Sequence, residues 1–211
     1  AVQPVVLRLL DNGVTVCETR VCPDADHAKA DMTVPAPKLW NVDDPCFYTL
    51  ETTFGDQVIC ENVGFREIEI TKDQGLFVNG KHVKLHGVCL HQDLGCLGSA
   101  FNRRAARRQL LAMKEMGVNS LRTSHNPPAR PVMDLCDELG LLVVNEAFDM
   151  WQRPKTTYDY ARFFDTDAES DVAAWVRRDR NHPSMLMWSI GNEIADTNNQ
   201  PEQAARVTKM L

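Results

Sequence analysis

Four short stretches of this 211-residue chain each close on groups that ionise or form several hydrogen bonds. "HGVCLHQD" (86–93) closes on His91, Gln92 and Asp93, and "NSLRTSHN" (119–126) on Arg122, Ser124, His125 and Asn126. "LLVVNEAFD" (141–149) closes on Asn145, Glu146 and Asp149, and "MLMWSIGNE" (185–193) on Asn192 and Glu193. A carboxylate just past "MLMWSI" is expected to be partly desolvated, the condition that suits a carboxyl group to general-acid work. Asn192 beside it can donate to and accept from a bound hydroxyl. Gly191 lets the backbone turn with no side chain in the way. Acid-assisted cleavage of a glycosidic bond needs such a set on one side of the sugar.

Four polar endings act together only if the fold delivers them to one place. Residues 102–117, "NRRAARRQLLAMKEMG", read as an amphipathic helix with Leu110, Leu111, Met113 and Met116 on its apolar side and Gly117 as its cap. "ARPVMDLCDELG" (129–140) reads as a second helix, "DAESDVAAWVRRDRNH" (167–182) as a third stopped by Pro183, and "PEQAARVTKML" (201–211) as a fourth. Strands alternate with them: "VKLHGVCL" (83–90), "VNSLRTSH" (118–125), "LLVVNEAF" (141–148) and "SMLMWSIGNE" (184–193). Apolar strands alternating with amphipathic helices imply parallel strands under helices. Four such β/α units are half of an eight-stranded barrel, whose chemistry gathers at the C-terminal ends of its strands. A closed barrel takes about 250 residues, so the chain is expected to be a piece of a longer protein.

Residues 1–70 follow a different pattern. "VVLRLLD" (5–11) turns through Asn12-Gly13 into "VTVCETRV" (14–21), a favoured hairpin. "CFYTLETTF" (46–54) and "QVICENVGFREIEI" (57–70) are further extended runs, and no helix is predicted. This half is expected to be part of an immunoglobulin-like β-sandwich. The predicted organisation is therefore α/β plus all-β, with a partial sandwich over 1–70 and the barrel half over 71–211.

Composition excludes several classes. The net charge of −6 argues against a nucleic-acid surface. No apolar run is long enough to cross a bilayer, so a soluble protein is expected. The opening "AVQPVVLRLLDNG" lacks a basic start before a long apolar run, so a cytoplasmic location is expected. The seven cysteines are scattered, with no Cys-x-x-Cys pair. They predict free buried thiols rather than a zinc site or disulfide framework.

From Phe65 to Met210 the chain resembles the glycoside hydrolase family 2 enzymes, which include β-galactosidases, β-glucuronidases and β-mannosidases. The stretches that carry the resemblance are "LWNVDDPCFYTLE", "GFREIEI", "VNGKHVKLHGVCLHQD", "MKEMGVNSLRTSHNPP", "GLLVVNEAFDMW" and "RDRNHPSMLMWSIGNE". Each is modest alone; in this order and spacing they are specific. The resemblance implies a retaining glycosidase acting on a β-linked oligosaccharide or glycoside, with β-galactosidase type preferred and β-glucuronidase or β-mannosidase as alternatives. It implies Glu193 as the acid/base and Asn192 as a contact to the sugar 2-hydroxyl. It further implies His91 and His125 as sugar ligands, and Arg122 as the residue that orients the nucleophile. The family's nucleophile is a second glutamate on the seventh strand, and this chain has only four. Some β-galactosidases of the family bind magnesium just after the "EA" of the third strand. Here that stretch is Phe148, Asp149, Met150, Trp151 and Gln152, so no metal and no cofactor are predicted.

Several residues have plainer readings. Glu146 is expected to pair with Arg122 inside the barrel rather than to transfer protons. Asp93, Asn126 and Trp151 are further candidate substrate contacts. Trp151 and Tyr158 are either stacking platforms for a sugar or ordinary exposed loop aromatics. His27, His82 and His182 are assigned to structure, and Arg103, Arg104, Arg107 and Arg108 to a solvated helix face. A half barrel leaves its first and fourth strands as open edges. Self-association, or docking with the rest of a longer chain, is therefore expected. The alternative of another class is a non-catalytic carbohydrate-binding or structural piece.

Overall fold

The computed structural model describes residues 3–199 and 201–210. The chain divides into two compact units, Ala1–Lys81 and His82–Leu211. In the first, β1 (Val5–Asp11), β2 (Val14–Val21), β3 (Tyr48–Phe54) and β4 (Gln57–Val63) form one antiparallel sheet in the order β2-β1-β3-β4. The β1–β2 turn has Asn12 at φ 49° and Gly13 at φ 83°. Two successive left-handed residues match the twist of the flanking strands, which is why Asn-Gly is found there. Trp40 and Tyr48 are buried, and Tyr48 meets Phe65 edge to face.

The run expected over 57–70 splits in two. Phe65 leaves the sheet to bridge Leu39, and its carbonyl accepts from the Trp40 amide at 2.8 Å. A second sheet then forms from β5 (Ile68–Thr71), β6 (Gly75–Val78) and β7 (Lys81–His82). The division between the two compact units falls after Lys81. The reason is non-local: β5 pairs antiparallel with β6, and the Asn79 side chain bonds both the Glu67 amide and the Trp40 carbonyl. These bonds tie the second hairpin to the first unit. All seven cysteines are free, but only Cys136 is buried; Cys22, Cys60, Cys89 and Cys96 are exposed, contrary to expectation.

The second unit is built on four parallel strands in the order β8-β9-β10-β11: β8 (Gly87–His91), β9 (Ser120–Ser124), β10 (Leu142–Glu146) and β11 (Met185–Ser189). Between them run α1 (Arg103–Glu115), α2 (Arg130–Leu139) and α3 (Ala161–Asp179); α4 (Asp196–Asn199) and α5 (Pro201–Thr208) follow. Among the described residues no helix is long and apolar enough to cross a membrane. Asn102 caps α1 by accepting from the Ala105 amide at 3.1 Å. The helix closes at Met116, which is exposed, and Gly117 follows in a left-handed conformation. Gly140, at φ 66°, ends α2 in the same way.

Helix α3 starts earlier than the expected Asp167. Its buried stripe, Phe164, Ala168, Val172 and Trp175, has helical spacing and extends back to Phe164. One core joins α1 and α2 to β9 and β10 through Leu110, Leu121, Met133, Leu135 and Val143. A second joins Phe148, Trp151, Phe164, Trp175 and Val207. The helices thus cover the sheet face that carries Leu121, Val143 and Met185, while Arg122, Glu146 and Ser189 share the other.

His182, just past α3, has a structural task. Its Nδ1 lies 2.5 Å from Asp137 Oδ2 on α2, and Asp137 Oδ1 accepts from the Ser184 amide at 2.9 Å. Burial favours the neutral imidazole, but the Asp137 hydrogen bond and the charges of Asp137, Asp179 and Asp134 outweigh it and hold the group above its ordinary 6.5. A raised pKa stabilises the fold fully below the unfolded value and loses that effect as pH rises through the folded one. Denaturant titrations of His182→Ala should therefore show a loss of about 1–3 kcal/mol at pH 6 and a smaller one at pH 9. An equal loss at both pH values would show that packing, not charge, is what His182 supplies.

Candidate active site

Glu146, at the C-terminal end of β10, is fully buried yet carries a carboxylate. Burying that charge is tolerable only with close partners, and three neighbouring positions supply them. Arg122 on β9 donates to it through Nε at 3.1 Å and through Nη2 at 2.9 and 3.1 Å. His125 Nδ1 lies 2.7 Å from Oε1, and the Ser189 hydroxyl at the end of β11 donates to Oε2 at 2.5 Å. The expected Arg122–Glu146 pair is thus present within a larger cluster. The Glu146 hydrogen bond is the main cause that raises the Arg122 pKa above its already high value, so the guanidinium stays charged.

Arg122 Nη2 also donates to Asn192 Oδ1 at 2.9 Å. The other end of that amide donates from Nδ2 to Asp149 Oδ1 at 3.0 Å. With both ends engaged, the Asn192 side chain has one orientation. Burial opposes ionisation of Asp149, but the hydrogen bonds from Lys155 and Asn192 prevail and hold its pKa below the usual value. Gly191 has a packing reason beside the turn: a Cβ there would lie 2.6 Å from the Ile194 side chain and 3.1 Å from Trp151 Nε1.

Glu193 differs from expectation. Its side chain is 82% exposed rather than desolvated, and Lys155 Nζ lies 3.8 Å from Oε2. Its backbone is left-handed, at φ 48°, unusual for a glutamate. That turn carries the carboxylate outward, past the end of the sheet. Trp151 differs too: it is 1% exposed, stacked with Phe164, and its Nε1 donates to the Ile190 carbonyl at 2.8 Å. Its ring is a core element and presents no face to a sugar. Tyr158 is exposed, as both of its readings require.

His91 and His125 meet edge to face with ring centroids 5.2 Å apart, so the ends of β8 and β9 bring both histidines together. Asp93 and Asn126 are engaged locally instead. Asp93 Oδ1 accepts from the Gly95 amide at 2.7 Å, and Asn126 Nδ2 donates to the Pro127 carbonyl at 2.9 Å. Two participants escaped the sequence reading. Ser189 had a signal, a lone hydroxyl at the end of an apolar run. Lys155 had none, since it lies in an irregular loop between β10 and α3. Among the described residues no group of three or more His, Cys, Asp or Glu side chains is placed to hold a metal ion.

Comparison with known proteins adds an independent line. Residues 68–211 match the family model described as glycosyl hydrolases family 2, TIM barrel domain. A β-galactosidase of Bacteroides ovatus is 46% identical over 194 residues, covering 87% of this chain and 23% of that protein. A β-glucuronidase of Bacteroides fragilis is 31% identical over 189 residues, covering 85% of this chain and 27% of that protein. A crystal structure of a glycosyl hydrolase family 2 member from Bacteroides cellulosilyticus superposes with a TM-score of 0.89 at 38% identity, covering 98% of this chain and 29% of that one. The chain thus spans about a quarter of the length of these relatives.

The buried cluster makes a quantitative prediction. Arg122→Met leaves the Glu146 carboxylate with only His125 and Ser189, and should cost about 3–5 kcal/mol in urea unfolding. Arg122→Met combined with Glu146→Leu should cost clearly less than the sum of the single losses, because no charge is then stranded. Additive losses would show that the two side chains do not act as a pair.

Proposed function

The chain belongs to glycosyl hydrolases family 2, and on that premise we propose that it is part of a retaining exo-β-glycosidase that hydrolyses terminal β-galactosides. Glu193 is its acid/base and Asn192 its contact to the sugar 2-hydroxyl. The observation that carries this reading is the chain of bonds from Glu146 through Arg122 to Asn192, which fixes an amide beside an outward-facing carboxylate. His91 and His125 add hydrogen-bonding rings at the ends of β8 and β9. Arg122, whose side chain keeps some exposed surface, orients in this reading a nucleophile supplied from outside these residues. The β-galactoside is preferred to a β-glucuronide because the Bacteroides ovatus relative is the more similar of the two.

In this reading β8 to β11 with their helices are the first half of the barrel, and the first unit is part of an immunoglobulin-like sandwich. Strands β8 and β11 are the edges of the sheet. Their unpaired backbone groups need either the remaining barrel strands or another copy of the chain. In the closed barrel Glu193 faces a second carboxyl group across the sugar, about 5–5.5 Å away for a retaining enzyme. Glu193 protonates the departing oxygen while that group attacks the anomeric carbon. It then takes a proton from water as the glycosyl-enzyme is hydrolysed.

Two measurements test the proposal. The isolated 211-residue chain should hydrolyse no aryl β-glycoside at a useful rate, because one of the two carboxyl groups is missing; robust turnover by it would overturn the mechanism. In the full-length enzyme Glu193→Ala should cut disaccharide cleavage by about 10²–10⁴-fold. Attack on a dinitrophenyl glycoside, whose leaving group hardly needs a proton, should be spared far more. Azide should restore turnover of the aryl substrate and yield a β-glycosyl azide. Equal losses on both substrates without azide rescue would remove Glu193 from the acid/base role.

A further inference from the structure

Lys155 lies on the loop that joins β10 to α3, yet its ammonium group reaches the end of β11. Nζ donates to Asp149 Oδ1 at 2.8 Å and to the Asn192 backbone carbonyl at 2.9 Å, and sits 3.8 Å from Glu193 Oε2. Asp149 Oδ1 also accepts from Asn192 Nδ2. These contacts close a ring: amide to carboxylate, carboxylate to ammonium, ammonium back to the carbonyl of the same asparagine. A left-handed residue follows directly, so the Asn192 carbonyl is where the path of Glu193 is set.

The loop itself is fastened from behind. Asp159 Oδ2 accepts from the Lys155 amide at 2.7 Å and the Thr156 amide at 2.8 Å, and Oδ1 accepts from the Ala161 amide at 3.1 Å. One carboxylate thus holds the turn that carries Lys155 and the start of α3. Lys155 is therefore presented from an anchored turn, and a long side chain bound at two points loses much of its freedom to move.

We infer that Lys155 is a positioning residue for the acid/base, holding the Asn192–Glu193 segment and orienting the Glu193 carboxylate toward the glycosidic oxygen. This rests on the acid/base assignment of Glu193. The charges suit the task. Asp149 keeps the ammonium in place whether Glu193 carries its proton or has given it up, so the tether survives both halves of the cycle. The longer contact to Glu193 guides the carboxylate without tying it up, leaving an oxygen free for the substrate. A misplacement of about 1 Å in a reacting group can cost about 10²-fold, so a residue that never touches the sugar can govern the rate.

The experiment uses the full-length enzyme, with Lys155→Ala, Lys155→Met and Lys155→Arg measured beside Glu193→Ala on a β-linked disaccharide and on the dinitrophenyl glycoside. Lys155→Ala should lower kcat/KM for the disaccharide at least about tenfold, and kcat/KM for the aryl glycoside by no more than about twofold. For the aryl glycoside kcat and KM should fall together, because the slowed step is hydrolysis of the glycosyl-enzyme. Lys155→Met, which keeps the apolar stem, should behave like alanine, and Lys155→Arg should recover most of the loss. Equal losses on both substrates, or none, while Glu193→Ala shows its leaving-group dependence, would overturn the role of Lys155 alone. Absence of that dependence in Glu193→Ala would overturn the assignment of Glu193 and the inference with it.

Discussion

The polar end of the second unit depends on one buried carboxylate. Glu146 has no exposed surface, so its charge must be balanced by neighbours and not by water. Arg122, His125 and Ser189 do this from two adjoining strands. The cluster acts as a cross-link between β9, β10 and β11, because each partner must keep its register for its bond to form. Arg122 then has one nitrogen shared with Asn192. The order of dependence is thus inward to outward, from the buried acid to the guanidinium, from there to the amide, and from the amide to the exposed carboxylate of Glu193.

That hierarchy divides rigid from accessible groups. The carboxylate with the most partners, Glu146, is sealed away from any ligand. Glu193, whose one cation among the described residues is Lys155 at 3.8 Å, is open to one. Two glutamates that both follow an apolar run therefore have opposite surroundings: Glu146 is the last residue of β10, whereas Glu193 lies four residues past the end of β11. Glu146 stands within the sheet opposite Ser189, where Arg122 and the Ser189 hydroxyl reach it, while Glu193 follows the strand in a left-handed conformation with its side chain exposed.

Much of this was legible in local patterns. Asn12-Gly13, Asn102 and Gly140 each impose a backbone geometry within a few residues, and the strands and helices they delimit follow the expected order. What escaped was set by partners distant in sequence. The early start of α3 depends on Phe164 finding Phe148 and Trp151. The burial of Trp151 depends on the Ile190 carbonyl, and a tryptophan in a loop carries no mark of that. The boundary near Lys81 depends on Asn79 reaching Trp40. At the site, the polar strand ends pointed to Arg122, Asn192 and the histidines. The burial of Glu146, the exposure of Glu193 and the reach of Lys155 come from three-dimensional placement.

Asn145 and Glu146 are consecutive, and they face opposite sides of the sheet. Asn145 Nδ2 donates to Asp179 Oδ2 at 2.8 Å, and its Oδ1 accepts from Trp175 Nε1 at 3.1 Å, among the helices. Glu146 faces Arg122 on the other side. A single residue inserted or deleted within β10 would exchange the two, setting the carboxylate beside Asp179 and the amide against the guanidinium. Both faces would then be wrong at once. The strand can therefore trade one aliphatic residue for another more readily than it can change its length. Length changes have to be absorbed beyond Ala147, in the long connection to α3.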